Sequence, residues 1–188
     1  SPNSEFMAVA GGYRHSLGLK SNGSIVAWGN NVSKQCVVPS PNMDFVSISA
    51  GELHSIGLKR DGSVAVWGMM LGNDIYGQNF VPVLNRDFVA VSAGKNHCLG
   101  LKSNGSIEAW GGFYEGQCTV PSPNRDFVAI SAGWLHSLGL KSDGSVVAWG
   151  DNTYGQCQIP SPNRDFVAVV AGYYHNFGLK SDGSIVAW

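Results

Sequence analysis

The sequence has little charge and no long apolar run. Charged residues occupy 13% of its 188 positions, and 12 basic against 13 acidic side chains give a formal net charge of −1, whereas an average domain has about 25% charged residues. Because affinity for nucleic acids comes largely from neutralising phosphates, this balance argues against a nucleic-acid partner. No apolar run approaches the roughly 18 residues that span a bilayer, so we expect no membrane partner either.

Segments without glycine or proline are also short. The chain has 25 glycines and 8 prolines, and its longest segment free of both runs from Val83 to Ala93. Ordinary helices need about ten or more such residues, and the β-branched and small residues from Phe88 to Ser92 suit a strand better. With 44% apolar residues the chain can build a core, so we predict an ordered, all-β protein.

The residues that are present follow one repeat. Histidines lie at positions 15, 54, 97, 136 and 175, and a tryptophan follows each of them thirteen residues later. A fixed period of about 40 residues is typical of repeat architectures. We interpret residues 1–188 as a single repeat domain with units 1–39, 40–82, 83–121, 122–160 and 161–188, of which the last is incomplete.

Each complete unit carries four strand signals. In the fourth unit they are strand A, Phe127 to Ser131; strand B, His136 to Lys141; strand C, Val146 to Trp149; and strand D, Gln156 to Ile159. An Asp-Gly or Asn-Gly pair joins B to C in every unit and predicts a type I′ hairpin turn, with φ > 0 at both residues. The sequence therefore predicts a β-propeller of four-stranded antiparallel blades, with five repeats present, as a fragment of a ring that can have seven blades.

The shared pattern identifies a family resemblance. It is A-G-x-x-H-S-L-G-L-K-S-[DN]-G-S-[IV]-x-A-W-G-x-N-x-x-G-Q, which resembles the repeat of the regulator of chromosome condensation family over essentially the whole chain. The short units are similar to those of bacterial members, including the propeller inhibitor of β-lactamase. The resemblance implies a propeller, often of seven blades, that binds other proteins. It also implies guanine-nucleotide exchange on a Ran-type small GTPase as a candidate function, and delivery into a host cell as a bacterial effector.

The two ends of the sequence leave the predicted ring incomplete. The fifth unit stops at Trp188, inside strand C, so we expect an open arc that is a fragment of a longer propeller, with blade edges that invite self-association. At the other end, Ser1 to Phe6 matches the repeat junction S-P-N-x-x-F and also resembles a cloning scar before Met7.

Some positions carry different residues in different units. The packing that all blades share does not require a particular residue at these positions. They fall in the pair before each histidine and in the loop after each Trp-Gly, which an antiparallel meander places on one face. Binding residues are often on loops held by a rigid scaffold, and Trp, Tyr, Met and Arg are enriched at interfaces. We predict a partner-binding surface of Tyr13, Arg14, Glu52, Leu53, Met69, Met70, Lys95, Phe113, Tyr114, Trp134, Tyr154, Tyr173 and Tyr174. The alternative is that the aromatic side chains pack between blades.

Motifs of covalent catalysis are missing. The sequence has no G-x-S-x-G, no G-x-x-x-x-G-K-[ST] and no H-E-x-x-H. One histidine per blade lacks the clustered ligands that a metal needs, so we interpret the histidines as structural, bonded to the backbone near strand B. We expect no metal, no cofactor and, at most, GTPase exchange activity. The alternative function is that of a proteinaceous inhibitor or passive scaffold that binds another protein through the same face.

The 4 cysteines form no C-x-x-C pair. Cys36, Cys118 and Cys157 share one strand-D position, and separate blades keep such positions farther apart than the roughly 7 Å between Cα atoms that a disulfide allows. We therefore expect free thiols. The chain does not open with a signal segment, in which a basic stretch precedes an apolar one. The free thiols and the missing signal segment together predict a reducing, cytoplasmic location, in the producing cell or in a host.

Overall fold

The computed structural model describes residues 4–68, 79–112 and 114–188. Over these ranges the regular elements are strands, and no helix there is long and apolar enough to cross a membrane. In chain order the strands are β1 (Phe6–Gly11), β2 (His15–Lys20), β3 (Ile25–Gly29), β4 (Phe45–Ala50), β5 (His54–Lys59), β6 (Val64–Gly68), β7 (Phe88–Ala93), β8 (His97–Lys102), β9 (Ile107–Gly111), β10 (Phe127–Ala132), β11 (His136–Lys141), β12 (Val146–Gly150), β13 (Phe166–Ala171), β14 (Asn176–Lys180) and β15 (Ile185–Ala187).

The strands form five separate antiparallel sheets, one in each repeat unit. Sheet 1 has the order β1-β2-β3, and sheets 2 to 5 repeat this order with the following strands. The register is also repeated: in sheet 4, Leu138 on the central strand lies opposite Ser131 on β10 and Ala148 on β12. The prediction of an all-β repeat protein is confirmed.

The prediction of a fourth strand in each sheet is wrong, because the segment after the third strand forms hydrogen bonds with the next sheet instead. The backbone carbonyl of Gln156 accepts hydrogen bonds from Asn176 Nδ2 at 2.7 Å and Trp188 Nε1 at 3.1 Å. The side chain of Asn163 occupies the free edge of β12. Its Oδ1 accepts a hydrogen bond from the Val146 N–H and its Nδ2 donates one to the Val146 C=O, both at 2.8 Å. One amide side chain thus replaces part of the expected strand pairing.

The hairpin turns also differ from the prediction. In the turn between β11 and β12, Gly144 has φ of 80°, whereas Asp143 is not among the residues with positive φ. The Asp143 carboxylate instead accepts hydrogen bonds from the N–H of Ser145 at 2.9 Å and from its hydroxyl at 2.6 Å. The carboxylate therefore stabilises a turn in which the glycine alone is left-handed, which is a type I turn with a glycine bulge and not type I′.

The hydrophobic core lies between neighbouring sheets. Leu99, Leu101 and Ile107 of sheet 3 pack against Phe127 and Trp149 of sheet 4, and all five side chains are at least 94% buried. Equivalent clusters join the other neighbouring sheets. A single sheet has no core of its own, as is usual in repeat proteins.

The outer faces of the first and last sheets are open, and no closed ring is seen among the described strands. Ile185 of sheet 5 is 70% exposed, while Val146 at the same position of sheet 4 is 2% exposed. On sheet 1, Val9 is 74% exposed and Trp28 is 47% exposed. The five sheets that the structure describes thus form an open series, and each has three strands in place of the predicted four.

Candidate functional site

The pairs of variable residues that precede the histidines meet at one end of the molecule. Their first members converge on a single cavity of about 330 Å³, which we call the central well. The residues are Tyr13, Glu52, Lys95, Trp134 and Tyr173, one from each sheet. We call this end of the molecule the loop face.

The second members of these pairs lie farther out. Arg14 and Tyr174 are exposed, and Leu53 is half-buried. In the loops after the third strands, Tyr114 and Tyr154 are both more than 65% exposed. The remaining predicted residues, Met69, Met70 and Phe113, lie outside the described residues.

Five aromatic rings form a continuous row on the loop face, and we call them the aromatic cluster. Tyr13 of sheet 1 contacts Trp134 of sheet 4 with ring centroids 5.7 Å apart, and Trp134 stacks on Tyr173 of sheet 5 at 4.0 Å. Tyr174 extends the row by an edge contact with Tyr173 at 4.2 Å and reaches Tyr154 at 4.6 Å. Tyr13 is 55% exposed and Tyr173 and Tyr174 are each 41% exposed, so these rings pack on one another and keep large surfaces open to solvent.

Two cations lie on the faces of cluster rings. Lys95 Nζ is 4.8 Å from the centre of the Trp134 ring, and the Arg14 guanidinium is 5.2 Å from that of Tyr13. Such contacts are worth about 0.5–1 kcal/mol at exposed sites. They help to orient the rings before any partner arrives.

The neighbours of Tyr173 suppress its ionisation. Partial desolvation by its neighbours, then its hydrogen bond with Tyr174 and the nearby charge of Glu52, raise the pKa of Tyr173 to about 12. The protonated form, whose hydroxyl bonds Tyr174, is thereby favoured further.

The wall of the central well explains the Ala-Gly pair of the repeat. A Cβ atom on Gly133 would lie 2.3 Å from His136 Cε1 and 2.8 Å from the carbonyl oxygen of Gly172 in the next sheet. The glycine allows the histidine ring and the neighbouring sheet to approach the wall together. The same close approach is found at Gly12, Gly51 and Gly94.

The histidines behind this wall join one sheet to the next. His97 Nε2 lies 3.0 Å from Ser137 Oγ, which donates to the carbonyl of Gln117 at 2.9 Å, and Trp149 Nε1 donates to the same carbonyl at 2.8 Å. Because the serine hydroxyl gives its hydrogen to Gln117, Nε2 must carry the hydrogen that it shares with Ser137. The predicted structural role fits this geometry, but the expected backbone partner is wrong: the histidine bonds a side chain of the next sheet.

The same connection recurs with different partners. His15 contacts Ser55 at 2.9 Å, His54 contacts the Cys98 sulfur at 3.3 Å, and His136 contacts Asn176 Oδ1 at 2.6 Å. Burial keeps these histidines neutral: desolvation first, and then neighbouring histidine charge, lower the pKa of His54 to about 4 and that of His97 to about 3.

Burial makes cysteine thiols of this chain less acidic than usual. None of the 4 cysteines, Cys36, Cys98, Cys118 and Cys157, forms a disulfide. Desolvation raises the pKa of Cys118 to about 12 and, with the Asp151 charge, that of Cys157 to about 11. Across the described ranges, no three His, Cys, Asp or Glu side chains group closely enough to hold a metal ion.

The central well is the feature that sequence reasoning missed. Its signal is the recurring pair of small residues, Gly-Gly in the first unit and Ala-Gly in the others, which the variable residue follows directly, so that each unit contributes small wall residues and a larger rim residue. Asn96, at the second variable position of its unit, is 8% exposed and does not belong to the surface.

The repeated sheets and their shared core define a propeller-like repeat protein. The family model "Regulator of chromosome condensation (RCC1) repeat" matches residues 8–35, 45–78, 88–117 and 127–156. The chain therefore belongs to the regulator of chromosome condensation repeat family. A comparison with curated proteins finds no significant match.

Solved structures share the fold. Prp20p from Saccharomyces cerevisiae, described with its binding to Gsp1p and histones, superposes with a TM-score of 0.82 at 21% identity, over 99% of this chain and 57% of that chain. The ectodomain of the Physcomitrella patens receptor kinase CR4 gives 0.80 at 25% identity, over 96% and 52%. Human WBSCR16 gives 0.81 at 17% identity, over 99% and 62%. The chain thus spans little more than half the length of these proteins.

Proposed function

We propose that this chain is a protein-interaction module whose partner binds the loop face. The observation that carries the proposal is the aromatic cluster, a row of five mutually packed rings drawn from three sheets. Tyrosine and tryptophan supply large contact areas at low conformational cost, and with arginine they dominate binding hot spots. Monomeric proteins rarely leave such a surface without a use.

The charges of the loop face indicate what kind of partner it takes. Among the described residues of the loop face, Arg14, Lys34 and Lys95 are balanced by Glu52, Glu115 and Asp151. A face without net charge does not select a polyanion or a polycation, which supports a folded protein as partner in preference to nucleic acid or an anionic membrane.

A Ran-type small GTPase is the candidate partner. Support comes from membership of the family and from the fold shared with Prp20p, whose structure is described with binding to Gsp1p. Exchange activity requires no covalent catalyst, because a module that binds the nucleotide-free GTPase more tightly shifts it toward nucleotide release.

Release of a fluorescent GDP analogue from a panel of small GTPases that includes Ran tests this assignment. We expect faster release from one member, and the double variant Tyr173→Ala/Tyr174→Ala should lose the effect. Arg125→Ala, an exposed change near the opposite end of the molecule, serves as the matched control. No acceleration for any GTPase would refute exchange activity.

A proteinaceous inhibitor or passive scaffold is the second candidate. The neutral, tyrosine-rich character of the loop face favours it, because this composition is shared with paratopes that bind a folded surface without catalysing a change in it. Affinity capture that recovers a secreted hydrolase in place of a GTPase, and loses it with the same double variant, would select this function.

A further inference from the structure

The central well lies beside the aromatic cluster and has a chemistry of its own. Its wall consists of small residues from all five sheets, with Gly-Gly in sheet 1, Ala-Gly in sheets 2 to 4 and Gly172 in sheet 5, and its volume of about 330 Å³ is at the lower end of the roughly 300–1,000 Å³ of ligand pockets. That volume suits one large side chain and is too small for a folded segment.

The wall offers few hydrogen-bond donors to an anion. Several of its backbone N–H groups are already used: those of Gly51, Gly94 and Gly133 donate to histidine carbonyls at 2.9 Å, and that of Tyr13 donates to Gly51 at 3.2 Å. An inserted carboxylate or phosphate would lose its water and meet the like charge of Glu52 at the rim, which is costly.

The rim does not attract a cation either, because its charges cancel. Glu52 and Lys95 stand on neighbouring sheets at the rim and balance one another. The ammonium of Lys95 already lies on the face of Trp134, where an incoming cation would meet a like charge.

The aromatic residues lie together at one part of the rim. The ring centroids of Tyr13 and Trp134 are 5.7 Å apart and Tyr173 stacks on Trp134, while Glu52 and Lys95 hold the other two rim positions. A ring that enters beside Glu52 and Lys95 would contact Tyr13 and Trp134, and aromatic pairs at such distances add about 0.5–1.5 kcal/mol beyond their buried area.

We infer that the central well receives a single uncharged aromatic side chain from a protruding loop of the partner. This inference rests on the proposed function, since the side chain belongs to the protein that binds the loop face. The well would fix the register of the complex, and the aromatic cluster would supply the surrounding contact area.

The well can be closed by substituting residues that occur at the same position in other units. The repeat places Trp134 and Tyr13 at the positions that Glu52 and Lys95 occupy in sheets 2 and 3. The double variant Glu52→Trp/Lys95→Trp therefore uses residues that the same position already accepts, and it places two large rings at the rim positions of Glu52 and Lys95. Glu52→Ser/Lys95→Ser is the matched control, which removes both charges and leaves the well open.

Titration of the 188-residue chain with N-acetyl-tryptophanamide, followed by amide signals in ¹H–¹⁵N NMR spectra, tests the inference. We expect saturable shifts at Gly51, Gly94 and Gly133 with a Kd of about 0.1–1 mM, the range that ordinary ligand efficiency gives. N-acetyl-argininamide should cause none. The tryptophan double variant should weaken binding at least about tenfold, and the serine double variant should bind as the parent does.

Two outcomes would overturn the inference: no saturable shift, or equal binding by the tryptophan double variant when its spectrum shows the native fold. Tyr154→Ala separates this inference from the proposed function, because Tyr154 belongs to the aromatic cluster but not to the well. It should weaken partner binding and leave the probe unaffected. Partner binding that survives closure of the well would refute the inference alone, and the absence of any loop-face partner would refute the proposed function.

Discussion

Removing one hydroxyl between two sheets should destabilise the whole protein. Ser137 is fully buried, receives the Nε2 hydrogen of His97 and donates to the Gln117 carbonyl. In Ser137→Ala the Gln117 carbonyl keeps its bond from Trp149, but the His97 N–H is left buried without an acceptor. An orphaned buried polar group costs about 1–3 kcal/mol.

That cost is a measurable part of the total. A domain has about 5–15 kcal/mol of stability, and 1 kcal/mol shifts the Tm of a protein of this size by about 2–4 °C. We therefore expect Ser137→Ala to lower the Tm by roughly 2–12 °C and to lower the urea midpoint correspondingly, both followed by far-UV circular dichroism.

Two further variants make the test specific. Ser137→Cys should lose much less stability, because Cys98 occupies the equivalent position and contacts His54 at 3.3 Å. Ser142→Ala removes an exposed hydroxyl of the same sheet and should change stability by less than about 0.5 kcal/mol. If Ser137→Ala is as stable as Ser142→Ala, the histidine connection does not hold the sheets together.

Three other predictions follow from the same structure. Gly133→Ala should cost about 1–3 kcal/mol in urea unfolding because its Cβ would overlap His136, whereas Gly11→Ala, which meets nothing within 4 Å, should be neutral; equal costs would contradict the close approach. The free energy of unfolding should fall as pH drops below about 6.5, because burial lowers the pKa of His54 to about 4 and of His97 to about 3, so that the unfolded chain binds more protons than the folded one. The expected slope is about 1.4 kcal/mol per pH unit for each histidine. A free energy of unfolding that stays constant from pH 7 to 5 would refute this prediction. Sedimentation equilibrium should show self-association through the open outer faces, and Ile185→Asp should reduce it; a monomer at all concentrations would contradict this.

The repeat made the sheets predictable because each hairpin is a local structure. The first three strands of a unit follow from alternating apolar residues and an Asp-Gly or Asn-Gly turn only a few residues away. The turn type was missed because the Asp143 side chain competes for the backbone N–H of Ser145, a local contact that the dipeptide alone does not reveal.

The fourth segment could not be predicted because its partners lie in another unit. Gln156 and the residues after it have ordinary strand composition, yet the Gln156 carbonyl accepts hydrogen bonds from the side chains of Asn176 and Trp188. Side-chain donors twenty or more residues away decide between a strand and an irregular segment here, and their positions depend on how one sheet packs on the next.

The candidate site was predictable as a set of residues but not as an arrangement. Comparison between units singled out Tyr13, Trp134 and Tyr173, whereas the contact between Tyr13 and Trp134 joins sheets three repeats apart. Their distance depends on the rotation from each sheet to the next, which no local pattern specifies. The central well is a product of the same rotation.

The most direct test of the loop face as a partner-binding surface is site-specific photo-crosslinking in the producing cell. A photoreactive phenylalanine analogue at position 154 replaces an exposed tyrosine of the aromatic cluster, and the same analogue at position 142 marks the opposite end. We expect one discrete crosslinked protein from position 154, lost when Tyr173→Ala is added, and none from position 142. No product from position 154, or the same product from both positions, would contradict the assignment of the loop face.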